Sequence, residues 1–403
     1  MTLNVGILTF HWTPHIGALL QMIALYHVLY LQFDVSIINL LPRLSILVRP
    51  TVNLGKIVEK YRGNSIRFAM RISLGEIASY LFQFSTEQRK ELNHRKILKM
   101  LKLTRPLRSL NELKEEVKHF DVIVVGSDQV WNPVFLRYSD YAYLLPFKVD
   151  GLKKVSYAAS FGIDNLDTIP VKLLTIYSRS LRDFTAISVR EQSHVSWVSK
   201  LINREVEHAL DPTLLFDASF WKSLASIYTF SDLKDGDIVF VYNLNFEMIK
   251  SVEPLLVKLD KYGFQIVAYA RPQPFPFQQG FSDITYYIKL KKKLKIKFLE
   301  YIDPFEFLRL IAMSRYTITN SYHGTIFSIL FEKNFITILP RGKSIRILDL
   351  LNLLGLRDRA VYDVNEALKR LEEEVEYKGV REKLEFHRRR SYNFLISAIK
   401  GGI

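Results

Sequence analysis

A strand, a polar turn, a helix and a second strand are predicted in succession between Thr317 and Leu339, in the segment TITNSYHGTIFSILFEKNFITIL. Residues of high β-propensity run up to Thr319, and a second apolar run extends from Phe335 to Leu339. An apolar helical segment separates them. Because parallel strands need such a crossover connection, the segment predicts a parallel βαβ unit and an α/β fold.

The turn of this unit carries the first candidate for chemistry. Open α/β sheets bind ligands at the carboxyl ends of their strands, and here that position is the polar turn Asn320-Ser321-Tyr322-His323-Gly324. His323 stands just before a predicted helix, whose free N–H groups favour an anion. We therefore predict His323 to be catalytic and Ser321 to contact substrate. A histidine satisfied within the core is the alternative interpretation.

Strand and helix patterns alternate twice along the chain, with a break between about residues 216 and 235. At 403 residues the chain is long for one core, so two domains are expected. We predict an N-terminal Rossmann-like domain, a C-terminal one that faces it across a cleft, and a terminal helix that docks back on the body. Their bounds are 1–225, 226–375 and 376–403. A basic, less periodic segment at about 42–108 is predicted to be a helical insert.

Polar residues also follow predicted strands in the first half. The segment GSDQVWNP comes directly after a buried strand that ends at Val125, and it includes Asp128, Trp131 and Asn132. We predict that all three lie at the site; for Trp131, stacking on a sugar ring and packing in the core are both open. Gly17, in the turn before the first helix, is predicted to bring backbone N–H groups close to a ligand.

Cations are placed at two further strand ends. Arg190 follows a predicted strand and offers a planar fork for a carboxylate or phosphate, unless it pairs with its neighbour Glu191. Arg341, Lys343 and Arg346 lie just before a helix and form a candidate phosphate cradle. This segment does not match the P-loop pattern.

The charge of the chain favours anionic partners. Lysine and arginine number 56 against 41 acidic residues, for a net charge of +15. There is no RNP motif, zinc finger or basic zipper, so no nucleic-acid partner is expected. The lysine-rich segment 289–297 is predicted to be an exposed edge strand kept from aggregating by its charge, with contact to anionic lipid as the second interpretation.

Three further features of the sequence bear on where the chain works. It has no cysteine, which excludes disulfides and cysteine-ligated zinc. No apolar run is long enough to span a bilayer. The start, MTLNVGILTF, predicts a strand and no signal peptide. A cytoplasmic enzyme is expected, with a peripheral position at the inner face of the membrane compatible with its charge.

Several of these motifs together resemble the polysaccharide pyruvyl transferase family. They occur in the family's order and cover most of the chain outside the insert and the terminal helix. The segments are GALLQMIAL (17–25), VVGSDQVWNP (124–133), YAASFG (157–162), ISVRE (187–191), LDPTLLF (210–216), TNSYHGTIFSILFEKNF (319–335) and RGKSIRILDLLNLLGLRDR (341–359). One departure is His15-Ile16 before Gly17, where the family usually has Asn-Tyr.

The resemblance implies a glycosyltransferase-B-like (GT-B-like) pair of domains and a ketal-forming activity in exopolysaccharide or cell-surface glycan biosynthesis. The pyruvyl group of phosphoenolpyruvate would pass to two hydroxyls of a sugar acceptor, lipid-linked or not, with no metal or organic cofactor. By position, Arg190 is expected to bind phosphoenolpyruvate, and His323 to act as an acid or to bind its phosphate. Lys343 and Arg346 can add cations. Asp128 is the hypothetical base for the acceptor hydroxyl.

Two other functions remain open on the sequence. A nucleotide-sugar-dependent glycosyltransferase can use the same two-domain architecture, since a fold does not choose its chemistry. A non-catalytic component of a polysaccharide-assembly complex is the other. Its signature would be the loss of Arg190 and His323, and both residues are present.

Overall fold

Two six-stranded sheets, each with helices packed on it, make up the computed structural model. The structure describes residues 2–41, 86, 88–243, 247–270, 286, 289–339, 344–362 and 364–402. The prediction of two Rossmann-like domains is confirmed. Most of the predicted insert lies outside the described residues, as do Arg341 and Lys343; of the insert's C-terminal part, residues 88–98 are helical.

The first sheet contains β1 (Asn4–Leu8), β2 (Asp34–Ile37), β3 (Val122–Val125), β4 (Lys153–Ala159), β5 (Ala186–Val189) and β6 (Glu207–His208). All neighbours are parallel, in the order β2-β1-β3-β4-β5-β6. Its helices are α1 (Ile16–Tyr30), α2 (Leu110–Glu116), α3 (Pro133–Tyr138), α4 (Val171–Leu181) and α5 (Gln192–Ile202). Since the strand order reverses between β1 and β3, their carboxyl ends form the crevice where such sheets bind ligands.

The second sheet contains β7 (Ile238–Asn243), β8 (Gln265–Ala270), β9 (Ile296–Leu299), β10 (Ser314–Thr319), β11 (Asn334–Ile338) and β12 (Ala360–Val361). It is also parallel, in the order β12-β11-β10-β7-β8-β9. Its helices are α6 (Ala218–Ala225), α7 (Glu247–Lys261), α8 (Pro304–Met313), α9 (Tyr322–Leu330), α10 (Ile345–Leu354) and α11 (Val364–Glu372). The order reverses between β7 and β10, so α9 begins at the second crevice.

The lysine-rich segment differs from its prediction in its first half. Residues 289–293 are helical, and the strand β9 begins only at Ile296, at the edge of the second sheet. Leu290 and Leu294 stand four residues apart and are both buried. Their helical spacing explains why this half does not continue the strand. Lys293 donates to Glu253 over 2.6 Å.

The last helix, α12 (Lys378–Lys400), returns to the first domain. The backbone N–H of Leu210 donates to Oγ of Ser391 over 3.0 Å, and Nε of Arg388 donates to the carbonyl of Leu214 over 2.8 Å. Both contacts fall on the segment that follows β6, which also supplies part of the site described below. Within the described residues, no helix is both long and apolar enough to cross a membrane.

The contact of α12 with β6 predicts acid sensitivity. His387 of α12 faces His208 of β6, with ring centroids 6.3 Å apart. Burial, and then the neighbouring His387, lowers the pKa of His208 to about 4. Between its usual pKa of about 6.5 and about 4, the unfolded chain binds a proton there that the folded chain does not, so stability falls as pH falls through this window. We expect His208 to account for about 2 kcal/mol of lost stability between pH 7 and pH 5.

Urea denaturation at pH 7 and pH 5 measures this loss in the wild type and in His208→Gln, where it should shrink by that amount. His119→Gln is the matched control, because His119 is exposed. An equal pH dependence in wild type and His208→Gln would contradict the assignment.

Candidate active site

Residues of both domains meet where strands of the two sheets end. Arg190 directly follows β5, and Asp211 caps a short 3-10 helix, Pro212–Leu215, soon after β6. Because β5 and β6 are parallel neighbours, these two side chains come to the same edge of the first sheet. His323 lies in the first turn of α9, at the carboxyl end of β10 in the second sheet.

Asp211 joins the two domains through one oxygen. Its Oδ2 accepts a hydrogen bond of 2.9 Å from Nη1 of Arg190 and lies 3.6 Å from Nε2 of His323, an ion-pair distance. Its Oδ1 accepts from both the N–H and the hydroxyl of Thr213, over 3.1 and 2.7 Å. The carboxylate is therefore held in one orientation, with Oδ2 directed at Arg190 and His323.

Arg190 is enclosed, with a side chain only 1% exposed. Its Nη2 lies 3.7 Å from Oδ1 of Asp128 and its Nε lies 3.5 Å from Oε1 of Glu191. The ring of Tyr322 covers the guanidinium, with its centroid 4.5 Å from Cζ. The salt bridge to Glu191, which the sequence left open as an alternative, is therefore present. Arg190 also directly follows a strand, as predicted.

Three buried nitrogens of this cluster have no hydrogen-bond partner within the described part of the chain. They are Nε and Nη2 of Arg190 and Nε2 of His323. Buried polar atoms are paired in nearly all native proteins, so unpaired ones call for a ligand, an ion or a water. Nε2 of His323 lies 3.6 Å from Asp211, whereas Nε and Nη2 of Arg190 lie 3.5 and 3.7 Å from Glu191 and Asp128. These three nitrogens are the candidate contacts for an oxygen-rich ligand.

Two carboxyl groups of the cluster, those of Asp211 and Glu191, have lowered pKa values. Burial acts to raise the pKa of Asp211, but the neighbouring His323 and Arg190 outweigh it and hold that pKa well below its usual range. The pKa of Glu191 is also lowered, since His194 and Arg190 outweigh the effect of its burial. Asp211 therefore supplies a fixed negative charge rather than a proton.

Gly17 touches His323 from the other domain. It lies in the first turn of α1, not in the preceding turn as predicted. A Cβ atom on Gly17 would stand 2.1 Å from Nδ1 of His323 and 2.6 Å from its Cε1. The helix can therefore approach the imidazole only because this residue has no side chain.

Gly17→Ala is expected to displace the His323 ring and lower turnover by about 10²-fold, the usual cost of a misplacement near 1 Å. Gly379→Ala, also in a helix, is the matched control because nothing lies within 4 Å of its Cβ position. Kinetics of both variants, with thermal unfolding as a check on the fold, measure the difference. Equal activity in the two variants would contradict the contact.

Of the predicted site residues after β3, Asp128 lies beside Arg190, whereas Asn132 caps a helix. Asp128 lies beside Arg190, and its Oδ1 also accepts from the N–H of Gln129 over 2.9 Å. Asn132 caps α3 by accepting from the N–H of Val134 over 2.9 Å, and it donates to the Gln129 side chain. Both remain predicted site residues, but the amide of Asn132 is already engaged.

Trp131 belongs to the core. It is fully buried, its indole N–H donates to the carbonyl of Tyr143 over 3.2 Å, and it packs against Phe161 and Phe184. No face of the ring is exposed to a sugar. The core interpretation is confirmed, and the prediction that Trp131 stacks on substrate is wrong.

The predicted phosphate cradle is partly occupied by the first domain. Asp164 accepts hydrogen bonds from the backbone N–H groups of Ser344 and Ile345, over 3.0 and 3.1 Å, at the start of α10. The preference of this helix end for an anion is thus already satisfied by a side chain. Arg346 lies one residue further on, where its burial and then the charge of Arg190 lower its pKa.

Ser321 is a helix cap, since its Oγ accepts from the N–H of Gly324 over 3.3 Å. The sequence reasoning missed Asp211 and Asp164. For Asp211 a signal existed: it is the second residue of LDPTLLF (210–216), one of the segments that carry the family resemblance. Asp164 meets α10 across 180 residues of sequence, and no local pattern indicates it.

Two Rossmann-like domains with a polar cluster at their junction make up a GT-B-like fold. The sequence model of the polysaccharide pyruvyl transferase family matches residues 15–341. The chain therefore belongs to that family, a family of transferases. A comparison with curated proteins found no significant match.

Solved structures similar to this chain share the two-domain fold. UGT73P12 of Glycyrrhiza uralensis, complexed with glycyrrhetinic acid 3-O-monoglucuronide, has a TM-score of 0.53 at 10% identity, covering 100% of this chain and 96% of that one. UDP-N-acetylglucosamine 2-epimerase from Rickettsia bellii gives 0.52 at 9%, covering 99% and 98%. UDP-GlcNAc 2-epimerase from Neisseria meningitidis, bound to UDP-GlcNAc, gives 0.51 at 9%, covering 98% and 97%. At such identity the likeness concerns the fold alone.

Proposed function

We propose that this protein transfers the pyruvyl group of phosphoenolpyruvate to two hydroxyls of a sugar, forming a cyclic ketal and releasing phosphate. Family membership supports the transferase class. The observation that carries the choice of an anionic donor is the set of three unpaired buried nitrogens, Nε and Nη2 of Arg190 and Nε2 of His323. Such nitrogens suit the oxygens of a carboxylate or phosphate.

The proposed reaction has a defined balance of bonds and protons. A proton adds to the methylene carbon of phosphoenolpyruvate, and the first sugar hydroxyl bonds to the carbon that bears the phosphate. The bond from that carbon to the phosphate oxygen then breaks, and the second hydroxyl closes the ketal. Of the two hydroxyl protons, one balances the proton added to carbon and the other leaves with phosphate. The chemistry calls for an acid, a base and cations near the leaving group.

The residues of the cluster are assigned to these tasks. His323 is the proposed acid, with Asp211 orienting its ring from 3.6 Å. Asp128, beside Arg190, is the proposed base for a sugar hydroxyl. Arg346, together with Arg341 and Lys343 outside the described residues, is proposed to bind the phosphate or carboxylate of the donor.

The partners of the reaction follow from the same proposal. The donor is a substrate, and no metal or organic cofactor takes part. The net charge of +15 supports an acceptor that carries anionic groups, such as a lipid-linked sugar at the inner, cytoplasmic face of an anionic membrane. Such a protein would serve the biosynthesis of exopolysaccharide or another cell-surface glycan.

The test uses the purified full chain with phosphoenolpyruvate and a panel of galactosyl, mannosyl and N-acetylhexosaminyl acceptors. We expect phosphate release together with a mass gain of one pyruvyl unit on an acceptor. Turnover of a sugar nucleotide with indifference to phosphoenolpyruvate would overturn the proposal in favour of a glycosyltransferase. Phosphate release without any change in acceptor mass would overturn the transfer step.

A further inference from the structure

Two helices that meet at the domain junction are each capped by a side chain of the opposite domain. Asp164, in the segment that follows β4, accepts hydrogen bonds from the N–H groups of Ser344 and Ile345 at the start of α10, over 3.0 and 3.1 Å. In return, Oδ2 of Asp349 in α10 accepts from the N–H and the hydroxyl of Ser193 at the start of α5, over 2.9 and 2.7 Å. We call the carboxylates of Asp164 and Asp349 the exchanged caps.

Neither of these helices is capped from within. Ser344 and Glu191 occupy the N-cap positions of α10 and α5, and neither side chain accepts a hydrogen bond from its own helix. Helices α2, α3, α6, α8 and α9 are instead capped by the side chain of their own N-cap residue. The first N–H groups of a helix need acceptors, and at α10 and α5 the opposite domain supplies them.

Both exchanged caps join α10 to one connected unit of the first domain. Asp167, three residues after Asp164, accepts from the indole N–H of Trp197 in α5 over 2.9 Å. The N–H of Asp167 donates to Oδ1 of Asn165 over 2.9 Å. The segment that carries Asp164 is thus tied to α5, the same helix that Asp349 caps.

The exchanged caps adjoin residues of the site along the chain. The N–H groups that Asp164 binds directly precede Arg346. Ser193, which Asp349 binds, follows Arg190 by three residues. Residues three apart in a helix lie on one face, so Arg346 and Asp349 share the face of α10 that meets the first domain. Holding α10 at these two points therefore sets where Arg346 stands relative to the first domain.

We infer that Asp164 and Asp349 are positioning residues, which hold α10 against the first domain so that Arg346 faces the donor. The inference rests on the proposed function for the word donor, whereas the tie between the domains stands on the contacts themselves. Neither carboxylate touches the reacting atoms, and each acts through the helix that it caps or belongs to. Loss of the exchanged caps should therefore change both the arrangement of the domains and the binding of the donor.

The first experiment measures the domain arrangement without any ligand. The chain has no cysteine, so Val171→Cys in the first domain and Tyr362→Cys in the second, at side chains 78% and 58% exposed, give two unique sites for spin labels. We expect one narrow distance distribution in this labelled protein, and a clearly broader one when Asp164→Ala and Asp349→Ala are added. An unchanged distribution would refute the exchanged caps as a tie between the domains.

Asp217→Ala is the matched control for these variants. Asp217 directly precedes α6 and caps it, and its Oδ1 accepts from the N–H and the hydroxyl of Ser219 over 2.9 and 2.6 Å. This is the pattern that Asp349 makes with Ser193, but here the cap is local, so the narrow distribution should remain. A broadening as large as that caused by loss of the exchanged caps would overturn the inference, because any missing helix cap would then loosen the protein.

Donor kinetics test the positioning of Arg346. We expect Asp164→Ala and Asp349→Ala each to raise the KM for phosphoenolpyruvate about fivefold, the usual effect of one lost helix cap, and to change the acceptor KM less than twofold. Asp164→Asn and Asp349→Asn should stay near the wild type, because an amide oxygen also accepts from a helix N–H. In an Arg346→Ala background neither alanine variant should raise the donor KM further, since the exchanged caps act through Arg346.

The outcomes separate this inference from the proposed function. A lower donor KM in Asp164→Ala would mean that the carboxylate only competes with the donor for the start of α10, and would overturn the inference. Full additivity with Arg346→Ala would equally refute Arg346 as the group that the exchanged caps position. If the distance distribution broadens as expected but phosphoenolpyruvate is inert, the exchanged caps stand as the tie between the domains and the proposed function falls.

Discussion

His323→Ala is expected to lower kcat/KM for phosphoenolpyruvate by about 10²- to 10⁴-fold, the range for loss of a general acid. The imidazole is the group of the second domain that faces Asp211, and its Nε2 is buried without a hydrogen-bond partner within the described residues. Its removal should leave the fold intact, because Asp211 keeps its hydrogen bonds from Arg190 and Thr213. Phosphate release in the presence of a sugar acceptor measures the loss.

His119→Ala serves as the control for this prediction, because His119 is exposed and lies outside the site. Thermal unfolding followed by circular dichroism shows whether each variant keeps its structure. A folded His323→Ala protein with turnover near that of the wild type would remove His323 from the mechanism and leave Asp211 as a purely structural carboxylate.

The fold was largely predictable because its strands are buried on both faces. Strands such as β3, with four consecutive apolar residues, are recognisable in sequence without any partner. The crossover helices set the parallel order, so both domains and the unit around His323 follow from local patterns. The prediction was wrong at 289–293, where the lysine-rich pattern is typical of an exposed edge strand. The segment is helical because two leucines at helical spacing are buried.

The site was predictable only as a set of strand ends. Arg190, Asp128 and His323 each stand at one, and the structure brings them to a single cluster. The sequence does not indicate which groups pair, because the contacts join residues far apart in the chain. Asp211 and His323 meet across the domain junction, as do Asp164 and the start of α10. These contacts decide whether a cation is open to a ligand or already paired.

Charge balance around Arg190 limits how a highly anionic donor can bind. Asp128, Glu191 and Asp211 all approach this one guanidinium, within 3.7, 3.5 and 2.9 Å. The excess positive charge of the chain is therefore not concentrated at Arg190 itself. We therefore expect Arg346 and the predicted ligands Arg341 and Lys343 to contribute more to donor binding than Arg190 alone.

Arg190→Ala is accordingly expected to destabilise the protein as well as to inactivate it. Burial acts to lower the pKa of Arg190, but Tyr322 and the three surrounding carboxylates raise it well above its usual value. Removing the guanidinium leaves Asp211 and Glu191, both with fully buried side chains, without their cation. Breaking a buried pair in this way costs about 3–5 kcal/mol. Urea denaturation at pH 7 measures the change in the free energy of unfolding.

Two further variants isolate the cause. Arg389→Ala removes an exposed arginine paired with Glu385 and should cost about 0.5 kcal/mol or less. Adding Asp211→Asn to Arg190→Ala should recover part of the stability, because the second change removes one of the charges that the first leaves unpaired. If Arg190→Ala instead unfolds at the same urea concentration as the wild type, the pairs of Arg190 with Asp211 and Glu191 do not stabilise the fold, and this prediction is wrong.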